Sequence, residues 1–136
     1  MKLHSGPNAQ NDRGCTLEIE TPEDQAERAQ NLGRFQFKIL SKALSDFPSA
    51  RFVVYSTCSI YKEENENVVR DVLKKQTKSG VIYWKTVDLS KVDVGMDKSY
   101  GKGLHFNEEL GCLRICASCG PKNYLNGFFL TIFERV

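Results

Sequence analysis

The sequence predicts an α/β domain with an incomplete sheet. Two segments carry apolar residues at helical spacing, short β-branched and aromatic runs follow them, and only three such runs occur in a chain with room for one core. Sheets in α/β domains hold about five or six strands, so three leave an edge or a face for something else to cover. At 136 residues the chain suits one domain and not two.

The first 20 residues are polar, contain Gly6, Pro7 and Gly14, and keep no period, which predicts a flexible lead-in over 1–20 and a folded part over 21–136. Thr21-Pro22-Glu23-Asp24 then reads as a helix start: a hydroxyl cap, proline at the first helical position, and carboxylates at the positive end of the dipole. Ala29, Leu32, Phe35, Ile39, Leu40, Ala43 and Leu44 continue it as one apolar stripe until Phe47-Pro48 stops it. Arg51–Ser56, with Phe52, Val53, Val54 and Tyr55, reads as a strand buried on both faces.

Acids in Lys62-Glu63-Glu64-Asn65-Glu66 mark a second helix start. Val68, Val69, Val72 and Leu73 form its buried stripe, and Lys74, Lys75 and Lys78 suit its C-terminal end. Val81–Val87 reads as the next strand, and a parallel pair with Arg51–Ser56, joined by a right-handed crossover, is the expected packing. From Asp88 to Asn126 glycines punctuate polar residues without period, and Gly127–Phe133 closes the chain as an apolar strand.

Composition narrows the function classes. With 40% hydrophobic and 26% charged residues, collagen-like and disordered chains are excluded; a formal charge of +2 nominates no nucleic acid or lipid partner by itself. No run approaches the roughly 20 apolar residues of a membrane span, and Met1–Asn8 lacks the apolar middle of a signal peptide, so no membrane partner and a reducing interior compartment are expected. Five cysteines are an odd number there, so free thiols, metal ligands or a nucleophile are favoured over bridges.

Cys58 lies just after the first strand, outside the carboxyl end where ligands of open α/β sheets sit. The alternative is a small buried hydrophobe, the usual fate of a free cysteine. Tyr55-Ser56-Thr57-Cys58-Ser59, followed by Glu63-Glu64-Asn65-Glu66-Asn67-Val68-Val69, resembles the catalytic stretch of the Sun-family RNA cytosine-5 methyltransferases. Phe35-Gln36 upstream, and Leu113-Arg114 and Gly127-Phe128-Phe129 downstream, stand in family order, so the resemblance covers roughly residues 29–136 and is nearest to the subgroup that modifies large-subunit ribosomal RNA.

The resemblance implies the C-terminal portion of a Rossmann-like, S-adenosylmethionine-dependent methyltransferase. Cys58 would be the nucleophile, Thr57, Ser59 and Arg114 substrate-binding residues, and Glu64, Asn65 and Glu66 would position the loop. For those last three, helix capping is the competing reading, and for Arg114 an ordinary surface ion pair. It further implies RNA, ribosomal in this subgroup, as partner, a nuclear and nucleolar location, and S-adenosylmethionine as methyl donor. The family's glycine-containing cofactor loop, acidic ribose position and Asp-Pro-Pro-Cys motif precede the stretch matched here and are absent; Cys15, in Arg13-Gly14-Cys15-Thr16, lacks that motif's context. The expectation is therefore a truncated chain, inactive alone, that needs a missing N-terminal cofactor-binding region or a complementing chain.

Two other readings stay open. One is a noncatalytic RNA-binding or interaction module derived from the enzyme. The other is a zinc-stabilised binding domain, for which Cys112, Cys116, Cys119 and His105 offer tetrahedral ligand types.

Overall fold

The computed structural model describes residues 20–93, 95, 103–116 and 127–136. The expected lead-in therefore lies, but for Glu20, outside the described residues. In chain order they form helix α1 (Pro22–Asp46), strand β1 (Phe52–Thr57), helix α2 (Glu66–Ser79), strand β2 (Trp84–Thr86), a 3₁₀ turn (Leu89–Lys91), and strands β3 (Leu104–Asn107), β4 (Cys112–Ile115) and β5 (Phe128–Arg135).

The start of α1 is set locally. The Thr21 hydroxyl accepts the Asp24 N–H while the Asp24 carboxylate accepts from the Thr21 backbone, so two otherwise orphaned donors are satisfied, with Pro22 just behind. No basic residue occupies the last turn of α1. Arg135 supplies a cation there from β5, donating to the carbonyls of Phe47 and Ala50 at 2.9 and 3.0 Å, with its guanidinium 4.4 Å from the Trp84 ring centre.

The sheet runs β1-β5-β4-β3, and β2 also pairs with β5, every pairing being antiparallel. Here the expected parallel pair is corrected. β1 and β2 do run the same way, but β5 lies between them, bonding β1 along one edge and β4 and β2 along the other. The most apolar run of the chain takes the central place because only there are both its edges paired. Residues 81–87 also yield a shorter strand than expected, 84–86, since Val81, Ile82 and Tyr83 are exposed. The expected three strands become five: β3 and β4 form a hairpin in the aperiodic stretch after Asp88, with the 3₁₀ turn against them and Leu89 fully buried.

Between the helices and one face of the sheet sits the core: Leu40 and Leu44 of α1, Val68, Val69 and Val72 of α2, and Trp84, Cys112, Phe129 and Phe133 of the sheet. The long stripe of α1 splits. Ala29, Leu40 and Leu44 are buried with Gly33, while Phe35 is 61% and Ile39 52% exposed. β1 is likewise buried on one face only, contrary to expectation, since Phe52 and Val54 are exposed while Val53 and Tyr55 pack on the core. Among the described residues nothing pairs with the outer edge of β1, so the sheet is open there.

Two glycines are demanded by close approach. A Cβ on Gly111, whose φ is +66°, would stand 2.6 Å from the Val87 carbonyl oxygen; one on Gly33 would stand 2.2 Å from that of Glu63. Gly33 thus lets α1 lie against the segment leading into α2. Gly33→Ala is expected to destabilise the fold by about 1–3 kcal/mol, read as a lowered urea midpoint, and an unchanged midpoint would show that the contact yields freely.

Candidate active site around Cys58

Cys58 follows the last residue of β1 directly, and its side chain is exposed. It opens into a cavity of about 560 Å³ bounded by the N-terminal half of α1 and by residues 56–64. A buried structural cysteine is therefore ruled out by the geometry.

The backbone on both sides of the sulfur is pinned by inward-turned side chains. Thr57 donates its hydroxyl hydrogen to Asn65 Oδ1 and accepts the Ser59 N–H at 3.2 Å. Asn65 Nδ2 donates to the Ser59 carbonyl at 2.8 Å. The Ser59 hydroxyl donates to Glu64 Oε2 at 2.6 Å and accepts the Tyr61 N–H at 3.1 Å. Asn65 is fully buried and Glu64 nearly so, and buried polar groups with complete partners fix one conformation, because each lost bond strands a desolvated group.

Glu66 does place its carboxylate in the first turn of α2, as the helix-start reading has it, but capping does not explain Asn65. Asn65 stands at the N-cap of α2 but makes no side-chain cap bond, its amide being spent on Thr57 and Ser59. Two elements distant in sequence reach the same segment. From α1, Gln36 Nε2 donates to Glu64 Oε1 at 3.0 Å. From β4, Arg114 grips Glu66 through Nε and Nη2 at 3.0 and 2.6 Å and donates from Nη1 to the Ile60 carbonyl at 2.9 Å. A two-pronged guanidinium–carboxylate pair fixes orientation as well as distance.

Thr57, Ser59 and Arg114, expected to meet substrate, bond instead to Asn65, Glu64 and Glu66, the three residues expected to position the loop. Sequence reasoning quoted Gln36 and Tyr55 within the resembling stretches but gave neither a role at the site, and both join this network. Gln36 is a polar residue on the flank of the α1 stripe, three residues after Gly33, which was the available signal. The Tyr55 hydroxyl donates to the Glu64 carbonyl at 2.5 Å, and burial, with the nearby Glu64 charge, pushes its pKa well above the ordinary tyrosine range.

The zinc reading loses a ligand. Cys112 belongs to the core, where its sulfur accepts the Thr131 hydroxyl at 3.0 Å, and burial pushes its pKa up to about 11. His105 is exposed on β3 opposite Arg114, no three metal-ligating residues cluster among the described residues, and Cys15 and Cys119 lie outside them. Among the described residues no further strand borders the open edge of β1.

Comparison with known proteins follows the same lines. Residues 17–134 match the family model described as 16S rRNA methyltransferase RsmB/F. The chain is 34% identical over 135 residues to a 28S rRNA (cytosine-C(5))-methyltransferase of Drosophila melanogaster, covering 96% of this chain and 28% of that protein. It is 38% identical over 121 residues to the 26S rRNA (cytosine-C(5))-methyltransferase nsun-5 of Caenorhabditis elegans, covering 88% and 25%. The chain therefore spans about a quarter of the length of these relatives. A crystal structure of a methyltransferase homolog protein from Pyrococcus horikoshii superposes with a TM-score of 0.54 at 22% identity, over 86% of this chain and 34% of that one. The fold is thus a partial Rossmann-like methyltransferase fold.

Thiol chemistry separates the two cysteines. Near pH 8 iodoacetamide should alkylate Cys58 and leave Cys112 intact, as read by peptide mass spectrometry. Because the Cys112 thiol ionises near 9 when unfolded and near 11 when folded, its contribution to stability is whole below pH 9 and is lost as pH rises toward 11. Cys112→Ala should flatten that alkaline decline in urea midpoint; an unaltered pH profile would place its cause elsewhere.

Proposed function

The chain belongs to the 16S rRNA methyltransferase RsmB/F family, and from that premise we propose that residues 21–136 are the nucleophile-bearing, C-terminal part of an RNA cytosine-5 methyltransferase acting on ribosomal RNA. One observation carries the proposal: Cys58 is exposed at the carboxyl end of β1, facing a cavity, with the residues on both sides of it held by buried partners.

The chemistry asks for such a thiol. Carbon 5 of cytosine is a weak nucleophile while the ring is intact. Addition of the Cys58 sulfur to carbon 6 breaks the 5,6 π bond and leaves carbon 5 enamine-like. Once carbon 5 carries the methyl group, loss of its proton and expulsion of the sulfur restore the ring. The cytosine must leave its stack to meet the sulfur, so a single-stranded or extruded nucleotide is the substrate state. In this reading Glu64, Asn65 and Glu66, together with Thr57, Ser59 and Arg114, are positioning residues that aim the loop.

The methyl group would come from S-adenosylmethionine, whose glycine-containing loop and acidic ribose position in the family precede the stretch matched here. A cofactor-binding region, in a longer chain or in a complementing one, is the proposed partner. The open edge of β1 and the exposed Leu32, Phe35, Ile39, Phe52 and Val54 offer it a surface. The place of action that fits this substrate is the nucleolus.

The test supplies the N-terminal part of the Drosophila relative, S-adenosylmethionine, and RNA carrying 5-fluorocytosine, whose fluorine blocks the final proton loss. A denaturation-resistant protein–RNA adduct on Cys58 is expected, abolished in Cys58→Ala, and the chain alone should form none. An adduct that survives Cys58→Ala would remove this cysteine from the role. With the adduct intact in the wild type, Arg114→Gln is expected to slow its formation by roughly 10- to 100-fold, as loss of geometry around a nucleophile does; a rate within about twofold of the wild type would leave Arg114 outside the machinery.

A further inference from the structure

On the other flank of α1 from Cys58, α1 and α2 enclose a second cleft of about 700 Å³. Its walls carry Arg34 and Lys38 on α1 and Lys74, Lys75 and Lys78 on α2, all exposed, against two carboxylates, Glu63 and Asp71. Arg34 and Lys38 are four residues apart on one helix, as are Lys74 and Lys78 on the other, a spacing at which like charges destabilise a helix. Glu63 and Asp71 offset part of this charge without closing on any of the five as an ion pair. Arg28, Lys42, Arg51, Lys85, Lys91 and Arg114 each meet an acid, whereas none of the five cleft cations has an ion pair among the described residues. Arg34 reaches only the Asn31 amide oxygen, and Lys75 stands 5.6 Å from the centre of the Phe37 ring on the cleft wall.

Two facing rows of unpaired cations, about 6 Å per step along each helix, match the spacing of consecutive phosphates on one strand. The cleft also adjoins the catalytic loop, since Glu63 lines it while Glu64, the next residue, holds Ser59 beside Cys58. We infer that this cleft is a track for the phosphate backbone of single-stranded RNA flanking the nucleotide at Cys58. The inference rests on the RNA methyltransferase reading above and adds to it a surface that neither the resemblance nor the family match assigns.

The test is equilibrium binding of the full 136-residue chain to a fluorescent single-stranded RNA of about ten nucleotides, by anisotropy across a salt series. Each lost phosphate contact lowers the slope of log affinity against log salt by about 0.7 for single strands. Replacing Lys74, Lys75 and Lys78 together by Gln should lower that slope by about two and weaken low-salt binding by roughly tenfold or more. Replacing Lys42, Lys85 and Lys91 by Gln removes the same charge elsewhere and should change little. Equal losses in the two triple variants, no loss in either, or equally tight and equally lysine-dependent binding of a polyglutamate peptide would overturn the track. Binding is read without chemistry, so the two readings can fail separately. Lysine-dependent binding with no Cys58 adduct in the complemented assay counts against the nucleophile, and an adduct with lysine-independent binding counts against the cleft.

Discussion

Everything at the candidate site depends on two side chains that turn inward just before α2. Asn65 ties Thr57 to Ser59 across Cys58, and Glu64 ties Ser59 to α1 through Gln36. Both sit where an α/β crossover would ordinarily spend them on capping a helix. Here α2 begins without a side-chain cap, and the bonds are spent on the loop. A thiol exposed to solvent is thereby carried on a backbone with buried anchors, the arrangement that the proposed nucleophile would need.

The anchors come from both sides of the sheet's length. Gln36 belongs to the first helix and Arg114 to a strand nearly eighty residues later, and both converge on residues 60–66. Gly33 makes the first convergence sterically feasible, because any side chain there would collide with the Glu63 carbonyl. The second depends on β5, which holds β4 on one side and β1 on the other and so brings Arg114 to the loop that β1 leads into. Packing and site are one construction: Phe129 and Phe133 bury α2 against the strand that also sets this geometry.

The open edge of β1 and the exposed half of the α1 stripe fit the same picture. Apolar residues were read as core from their spacing, yet Phe35, Ile39, Phe52 and Val54 face outward among the described residues. Helical spacing reports that a surface is apolar and not what covers it. The chain spans about a quarter of its relatives' length, and under the proposed function this is the surface offered to a cofactor-binding region.

Local chemistry made part of this legible from residues alone: the start of α1 at Thr21-Pro22, its end before Pro48, the apolar runs that became β1 and β5, and Cys58 at a strand's carboxyl end. Each depends on neighbours within a few positions, so order along the chain suffices. The family was legible too, because a long contiguous run around Cys58 carries it. Tertiary structure decided the rest. That β5 inserts between β1 and β2, that Arg114 serves Glu66, and that Cys112 is core all depend on pairings between residues tens of positions apart. Such pairings are settled by which strand edges and buried polar groups find partners when the chain closes on itself, and no local period records that outcome.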